Sequence, residues 1–236
     1  MFDFFKTKKP KARGSHPPGP LWELDLPVQE IKAVVLDTEL TGLDRKHDSI
    51  VSIGAVKMAG GRVEIGRTFY QLVNPHMRME AKSVIVHEIT PSEVIEKPEI
   101  GQVLSEFVDF CEGDVLIGHY VSLDLAFINR ELKRTRNRAM ENPAFDTMSL
   151  MHWWRSNTPC HGPDAFTPQK FELVEIAKEL GIQVQGAHNA LMDAFMTAQV
   201  FQRLLPRLQA LGIKTLGDLL RIGHPNRKIQ PRGGII

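Results

Sequence analysis

Two acids one residue apart, Asp37 and Glu39, follow the apolar run Ala33-Val34-Val35-Leu36 and precede the turn at Thr41-Gly42. A continuous aliphatic run of this length reads as a buried strand. On a strand, side chains at i and i+2 share a face, about 6.5 Å apart along the chain. Asp37 and Glu39 are therefore expected side by side at the end of a core strand. Like charges so placed repel, and one would keep its proton unless a divalent cation balanced the pair. The chemistry on offer is half of a metal site. The same spacing recurs at Glu23-Leu24-Asp25 and Glu112-Gly113-Asp114, but neither pair leaves an apolar strand for a Thr-Gly turn.

Three further stretches carry polar groups in suggestive places. Asp124 closes Gly118-His119-Tyr120-Val121-Ser122-Leu123-Asp124, just past another short apolar run. In open α/β sheets ligands gather at the carboxyl ends of strands, although an acid at a helix start is also favourable on its own account. His188 and Asp193 lie in His188-Asn189-Ala190-Leu191-Met192-Asp193-Ala194. Within one helix they would point about 140° apart. They can share a site only if His188 precedes the helix and Asp193 sits on its first turns. Asp146-Thr147 reads as a helix cap.

The elements that must position these groups are legible as follows. Ile50 to Met58 and Arg62 to Val73 are strands joined at Ala59-Gly60-Gly61, so with the Asp37 strand they form an antiparallel meander. Val115 to Gly118 and Ala144-Phe145 are further strands. Helices are expected at Pro91 to Val94, Ile100 to Cys111, Leu123 to Leu132 (with Leu125, Ile128 and Leu132 as its stripe) and from the Asp146 cap through Trp154. Others follow at Phe171 to Leu180, Asn189 to Leu205 and Thr215 to Arg221. The penultimate one would bury Leu191, Ala194, Phe195, Ala198, Phe201 and Leu205. A meander followed by alternating helix and strand gives an α/β fold with a mixed sheet and helices on both faces.

Composition sets the limits. The 236 residues carry 42% hydrophobic and 24% charged residues and a formal net charge of +1, which suits one globular domain with tails and gives no bulk pull toward nucleic acid. Residues 1–30, with Lys6, Lys8, Lys9, Lys11 and Arg13 ahead of a Pro/Gly-rich run, read as a basic flexible leader; 31–222 read as the folded domain and 223–236 as a tail. Cys111 and Cys160 have no metal-type spacing and fit a reducing compartment. There is neither a secretory signal nor an apolar run of membrane-spanning length, so a cytoplasmic protein is expected. Arg130, Lys133, Arg134, Arg136 and Arg138 cluster around Glu131 and serve equally as a nucleic-acid track or as cations at a helix end. Trp153 and Trp154 suit base stacking or core packing.

Taken together, Asp-Thr-Glu-x-Thr-Gly-Leu from Asp37, Gly-His-x-x-x-x-Asp to Asp124 and His-x-Ala-x-x-Asp-Ala from His188 resemble, in order and spacing, the three motifs of the DEDDh 3′→5′ exonucleases, the family of the proofreading epsilon subunit of bacterial DNA polymerase III. The resemblance extends over Ala33 to Leu205, including Leu72-Val73-Asn74-Pro75 and His87-Glu88-Ile89-Thr90. It implies a ribonuclease H-like five-stranded sheet and two bound Mg²⁺ or Mn²⁺ ions. It implies Asp37 as the ligand shared by both ions, Glu39 and Asp193 around the first, Asp124 at the second, and His188 as general base. Leu40, Thr41 and His87 would meet the terminal nucleotide, the first two through backbone groups. The implied substrate is a nucleic acid with a free 3′ end, DNA before RNA, and a DNA polymerase is an implied partner. Tyr120 and Leu123 depart from the family, which commonly has Asn and an aromatic there.

Overall fold

The computed structural model describes residues 23–158, 171–184 and 188–225. Most of the expected leader and tail, and Cys160, lie outside these residues.

The meander forms as the alternation requires. β1 (Lys32–Leu40), β2 (Ile50–Ala59) and β3 (Arg62–Leu72) are antiparallel, while β4 (Val115–Gly118) and β5 (Ala144–Asp146) run parallel to β1, giving the order β3-β2-β1-β4-β5. The β2–β3 turn needs positive φ at both central residues, and Gly60 (55°) and Gly61 (78°) supply it. β1 lies at the centre of the sheet, so both of its faces are covered.

Strand alternation sorts two cores onto those faces. Val34 and Leu36 pack with Ile53, Phe107, Leu116 and Phe127, under α3 (Ile100–Cys111) and α4 (Ser122–Arg136). Ala33 and Val35 pack with Val56, Ile117 and Phe201, under α5 (Thr147–Ser156), α6 (Leu173–Glu179), α7 (Ala190–Ala210) and α8 (Leu216–Ile222). A smaller cluster of Val51, Met79, Ile89 and Val94 fixes α1 (Ala81–His87) and α2 (Pro91–Val94) beside the meander. Among the described residues no helix is long and apolar enough to cross a membrane.

Several expectations need correction. α1 falls in a stretch to which the sequence assigns no element; Ile85 and Val86 are exposed, so no helical apolar period marks it. The buried stripe of α4 is Asp124, Phe127, Ile128, Glu131 and Leu132, with Leu125 only partly buried at its edge. In α7, Leu191 and Phe195 are half-buried while Met196, Thr197, Val200 and Leu204 go inside, because the helix wedges between sheet and α5–α6 and buries a broad arc. The packed unit also runs past 31–222. Leu24 and Leu26 carbonyls accept from Gly217 and Leu216, Val28 is buried, and the Gly223 carbonyl accepts from Asp146 N–H at 2.7 Å. Trp153 and Trp154 both pack, partly buried, against the α5–α8 core. Cys111 is buried, which pushes its thiol up to about 12.

On β2, Lys57 is 1% exposed, lies 5.2 Å from the Phe110 ring centroid and donates to Asp114 at 2.5 Å. The acid of the Glu112-Gly113-Asp114 spacing is thus half of a buried ion pair.

Candidate active site

Side chains that alternate along β1 place Asp37 and Glu39 toward α7, where Asp193 stands on the first turn. Asp37, Glu39 and Asp193 each offer a carboxylate oxygen, and these atoms all lie within 4.8 Å of one another. Gly54 makes this approach possible. It pairs with Asp37 in the ladder, and a Cβ there would sit 2.2 Å from Ala190 C and Leu191 N. Only a bare α-carbon lets α7 start on top of β2 beside Asp37.

Asp124 arrives from the opposite face. It lies in the first turn of α4, 5% exposed, and its Oδ1 accepts the Thr38 hydroxyl at 2.6 Å. His188 precedes α7 in an exposed, left-handed conformation (φ 69°), and its backbone N–H donates to Asp193 Oδ2 at 3.0 Å. Asn189 then caps the helix by accepting from Leu191 and Met192 N–H. The histidine is therefore placed before the helix and tied to Asp193, the one arrangement in which the two can serve one site.

The electrostatics are those of several carboxyls crowded together and withdrawn from water. Burial raises Asp37 well above the usual carboxylate range, and the charges of Asp124, Glu39 and Asp193 raise it further. Burial, then Asp193 and Asp124, push Glu39 up to about 7, and burial carries Asp124 to about 7 against the opposing Thr38 bond. Asp193 is raised by burial, opposed by the His188 N–H. Among the described residues no Lys or Arg pairs with any of these acids. A donor set of hard carboxylate oxygens without an organic counter-ion fits Mg²⁺ or Mn²⁺.

A pH dependence follows. These carboxyls titrate higher folded than their unfolded values near 4, so the folded state holds more protons between about 4 and 7. Their contribution is fully present below the unfolded values and is lost as pH rises through about 7. His119 works in the other sense, because burial pulls it down to about 4, but the acids outnumber it. In chelator, the melting temperature should be higher at pH 5.5 than at pH 8, and Mn²⁺ should close the gap. A melting temperature that climbs over this interval in chelator would contradict the assignment.

The supporting residues divide between expected and missed. Asp146 caps α5 as expected, accepting Met148 N–H at 2.8 Å, and also accepts Tyr120 N–H at 3.3 Å. Tyr120 takes φ 58°, a region Asn enters more readily, which gives its departure from the family a backbone cost. His119 is buried between Thr147 Oγ1 (3.0 Å) and the Phe171 carbonyl (2.7 Å), joining β4 to α5. Thr41 is committed to its turn. Its N–H donates to Ser49 O and its hydroxyl to Asp48 Oδ1. Leu40 is buried in the α3–α4 core, and His87 is buried with Nδ1 accepting Ile89 N–H. Arg130, which was read as part of a basic patch, instead donates to the Arg45 and Asp48 carbonyls and to Glu131. Nothing in its sequence position distinguishes that role from a phosphate contact.

Comparison with known proteins gives three kinds of match. The RNase T exonuclease family model matches residues 34–201. The chain is 38% identical over 200 residues to a DNA polymerase III subunit epsilon-like protein of Rhodobacter capsulatus, covering 83% of this chain and 27% of that one. It is 32% identical over 175 residues to DNA polymerase III subunit epsilon of Aquifex aeolicus, covering 74% and 81%. It is 31% identical over 189 residues to a PolC-type DNA polymerase III of Thermotoga maritima, covering 80% and 13%. Thus it spans 27% and 13% of two of these relatives, and most of the third. Among solved structures, exonuclease I matches with TM-score 0.67 at 18% identity over 77% of this chain and 42% of that one. An E. coli exonuclease I complex with a dT13 oligonucleotide matches with TM-score 0.64 at 17% identity, over 77% and 42%. At these identities the likeness is one of fold, the ribonuclease H-like sheet expected from sequence.

Proposed function

Because this chain belongs to the RNase T exonuclease family, we propose that it hydrolyses the last phosphodiester of a nucleic-acid 3′ end, DNA before RNA, releasing a 5′-mononucleotide. The observation that carries this reading is the convergence of Asp37, Glu39 and Asp193 within 4.8 Å, with Asp124 close enough to raise the Asp37 pKa. Asp37, Glu39 and Asp193 would hold one divalent cation, Mg²⁺ or Mn²⁺, and Asp37 with Asp124 a second. Bound there, such a pair supplies charge neutralisation at the scissile phosphate and acidifies water. His188 accepts the proton of the attacking water, from its exposed place just ahead of α7. The water oxygen bonds to phosphorus, the P–O3′ bond breaks, and the departing 3′ oxygen takes up a proton from solvent.

The names of the epsilon relatives support DNA as substrate, and the PolC-type match, in which the region is 13% of a polymerase chain, supports a DNA polymerase as partner. A cytoplasmic enzyme fits that company.

The test is digestion of 5′-labelled single-stranded DNA, matched RNA and a mismatched duplex with Mg²⁺, Mn²⁺ or EDTA. The expected result is a ladder shortening from the 3′ end that EDTA stops, faster on DNA. His188→Ala should lower the rate about 10²- to 10⁴-fold, the usual share of a general base, while Mn²⁺ still binds. Degradation that persists in EDTA would refute the cation chemistry, a full-rate His188→Ala the base, and faster RNA digestion the sugar preference.

A further inference from the structure

We infer that Thr38, between the two acids of β1, is a positioning residue that orients Asp124 for the second cation. This rests on the reading above. Strand alternation sends Asp37 and Glu39 toward α7 and Thr38 to the α3–α4 side, where the flanking Leu36 and Leu40 join the core. Asp124 comes from that second side, on α4, so its carboxylate has to reach the cations past the strand rather than along it.

The hydroxyl of Thr38 does what that route requires. It donates to Asp124 Oδ1 at 2.6 Å, between residues 86 apart in sequence that are 8% and 5% exposed. Water therefore cannot readily replace the bond. The hydroxyl holds Oδ1, and backbone groups of Thr38 and Asp124 also hydrogen-bond the carboxylate, so together they fix its rotational setting. An oxygen of a neutral hydroxyl also adds no further negative charge to a pocket already crowded with acids. Groups that orient cation ligands in this way are commonly worth 10- to 100-fold in affinity or rate.

The experiment is Mn²⁺ titration of the full chain, read by electron paramagnetic resonance and calorimetry, for wild type, Thr38→Val, Thr38→Ser, Asp124→Asn and the double variant Thr38→Val/Asp124→Asn. Val keeps the β-branched shape and removes only the donor. Wild type is expected to bind two Mn²⁺ ions. Thr38→Val should weaken the Asp124-dependent ion about 10- to 100-fold and leave the other within about threefold. Thr38→Ser should restore it, and the double variant should be no worse than Asp124→Asn alone, since Thr38 acts through that acid.

Wild-type affinity for both ions in Thr38→Val would overturn the inference. So would equal weakening of both ions, or a double variant clearly worse than Asp124→Asn, since either marks a general packing defect. If Thr38→Val does not fold, failure of the folded Thr38→Ala variant to weaken the Asp124-dependent ion overturns it equally. Absence of any Mn²⁺ binding by wild type would instead refute the parent reading, and the two failures are thereby told apart.

Discussion

Asp37→Asn should abolish nucleotide release and at the same time raise the melting temperature of the chelated protein at pH 8. Asp37 sits among three other acids, each of which bears on it. Burial raises its pKa first, and the charges of Asp124, Glu39 and Asp193 each add to that. Asn has the same shape with no charge, so the repulsion is relieved and the fold gains, by about 2–4 °C for each kcal/mol in a chain of this size. On the proposed mechanism, the reaction loses the ligand that both cations would share. A fall of 10³-fold or more is expected, about 4 kcal/mol of barrier. Melting in EDTA and in Mn²⁺, alongside the rate on a 5′-labelled oligonucleotide, reads both signs at once. Loss of stability in EDTA, or retention of a tenth of the rate, would show that Asp37 is a packing residue and not the centre of the site.

Gly54→Ala should damage stability and rate together. The added methyl would lie 2.2 Å from Ala190 C and Leu191 N and 2.4 Å from Ala190 O, all backbone. Carbon contacts settle near 3.5–4.0 Å, so the start of α7 must move by about 1 Å or more. Overpacking of this kind costs about 1–3 kcal/mol, occasionally more. The displaced turn carries Asp193 and the tie from His188, and a misplacement of about 1 Å is worth on the order of 10² in rate. Gly66→Ala is the control, because a Cβ there meets nothing within 4 Å. Near-wild-type rate and melting temperature in Gly54→Ala would mean that α7 is not fixed by its seat on β2.

How much of this is legible in sequence depends on whether a residue's role is set by near neighbours. The strand carrying Asp37 and Glu39, the glycine turn after β2, the Asp146 cap and the placement of His188 ahead of a helix bearing Asp193 are all short-range patterns, and the structure bears each of them out. What escaped depends on packing across the sheet. Nothing near Gly54 in the chain says that a helix begins more than a hundred residues later against its α-carbon. Arg130 looks like its basic neighbours until the Arg45 and Asp48 carbonyls are seen in front of it. Thr38 was one letter of a motif, and only the approach of α4 gives its hydroxyl a partner. α1 was missed for the opposite reason: its exposed Ile85 and Val86 mimic an irregular apolar segment, and the long-range packing of Met79 and Ile89 around it decides the outcome.

The buried pair of Lys57 and Asp114 has a consequence for how the meander assembles. Lys57 pairs with Val34 in the ladder and faces the α3 side, where Asp114 and the Phe110 ring receive it. A slip of β2 by one residue would turn every one of its side chains to the other face. The ammonium would then enter the apolar space around Val35 and Phe201 with no acid to meet it, while Asp114 would be left buried and alone. Breaking such a pair costs about 3–5 kcal/mol, a large part of a typical folding free energy. The aliphatic strands could slide past one another with little change in hydrophobic content. A single misplaced charge removes that freedom, and with it the off-by-one sheets in which Gly54 would no longer lie opposite Asp37.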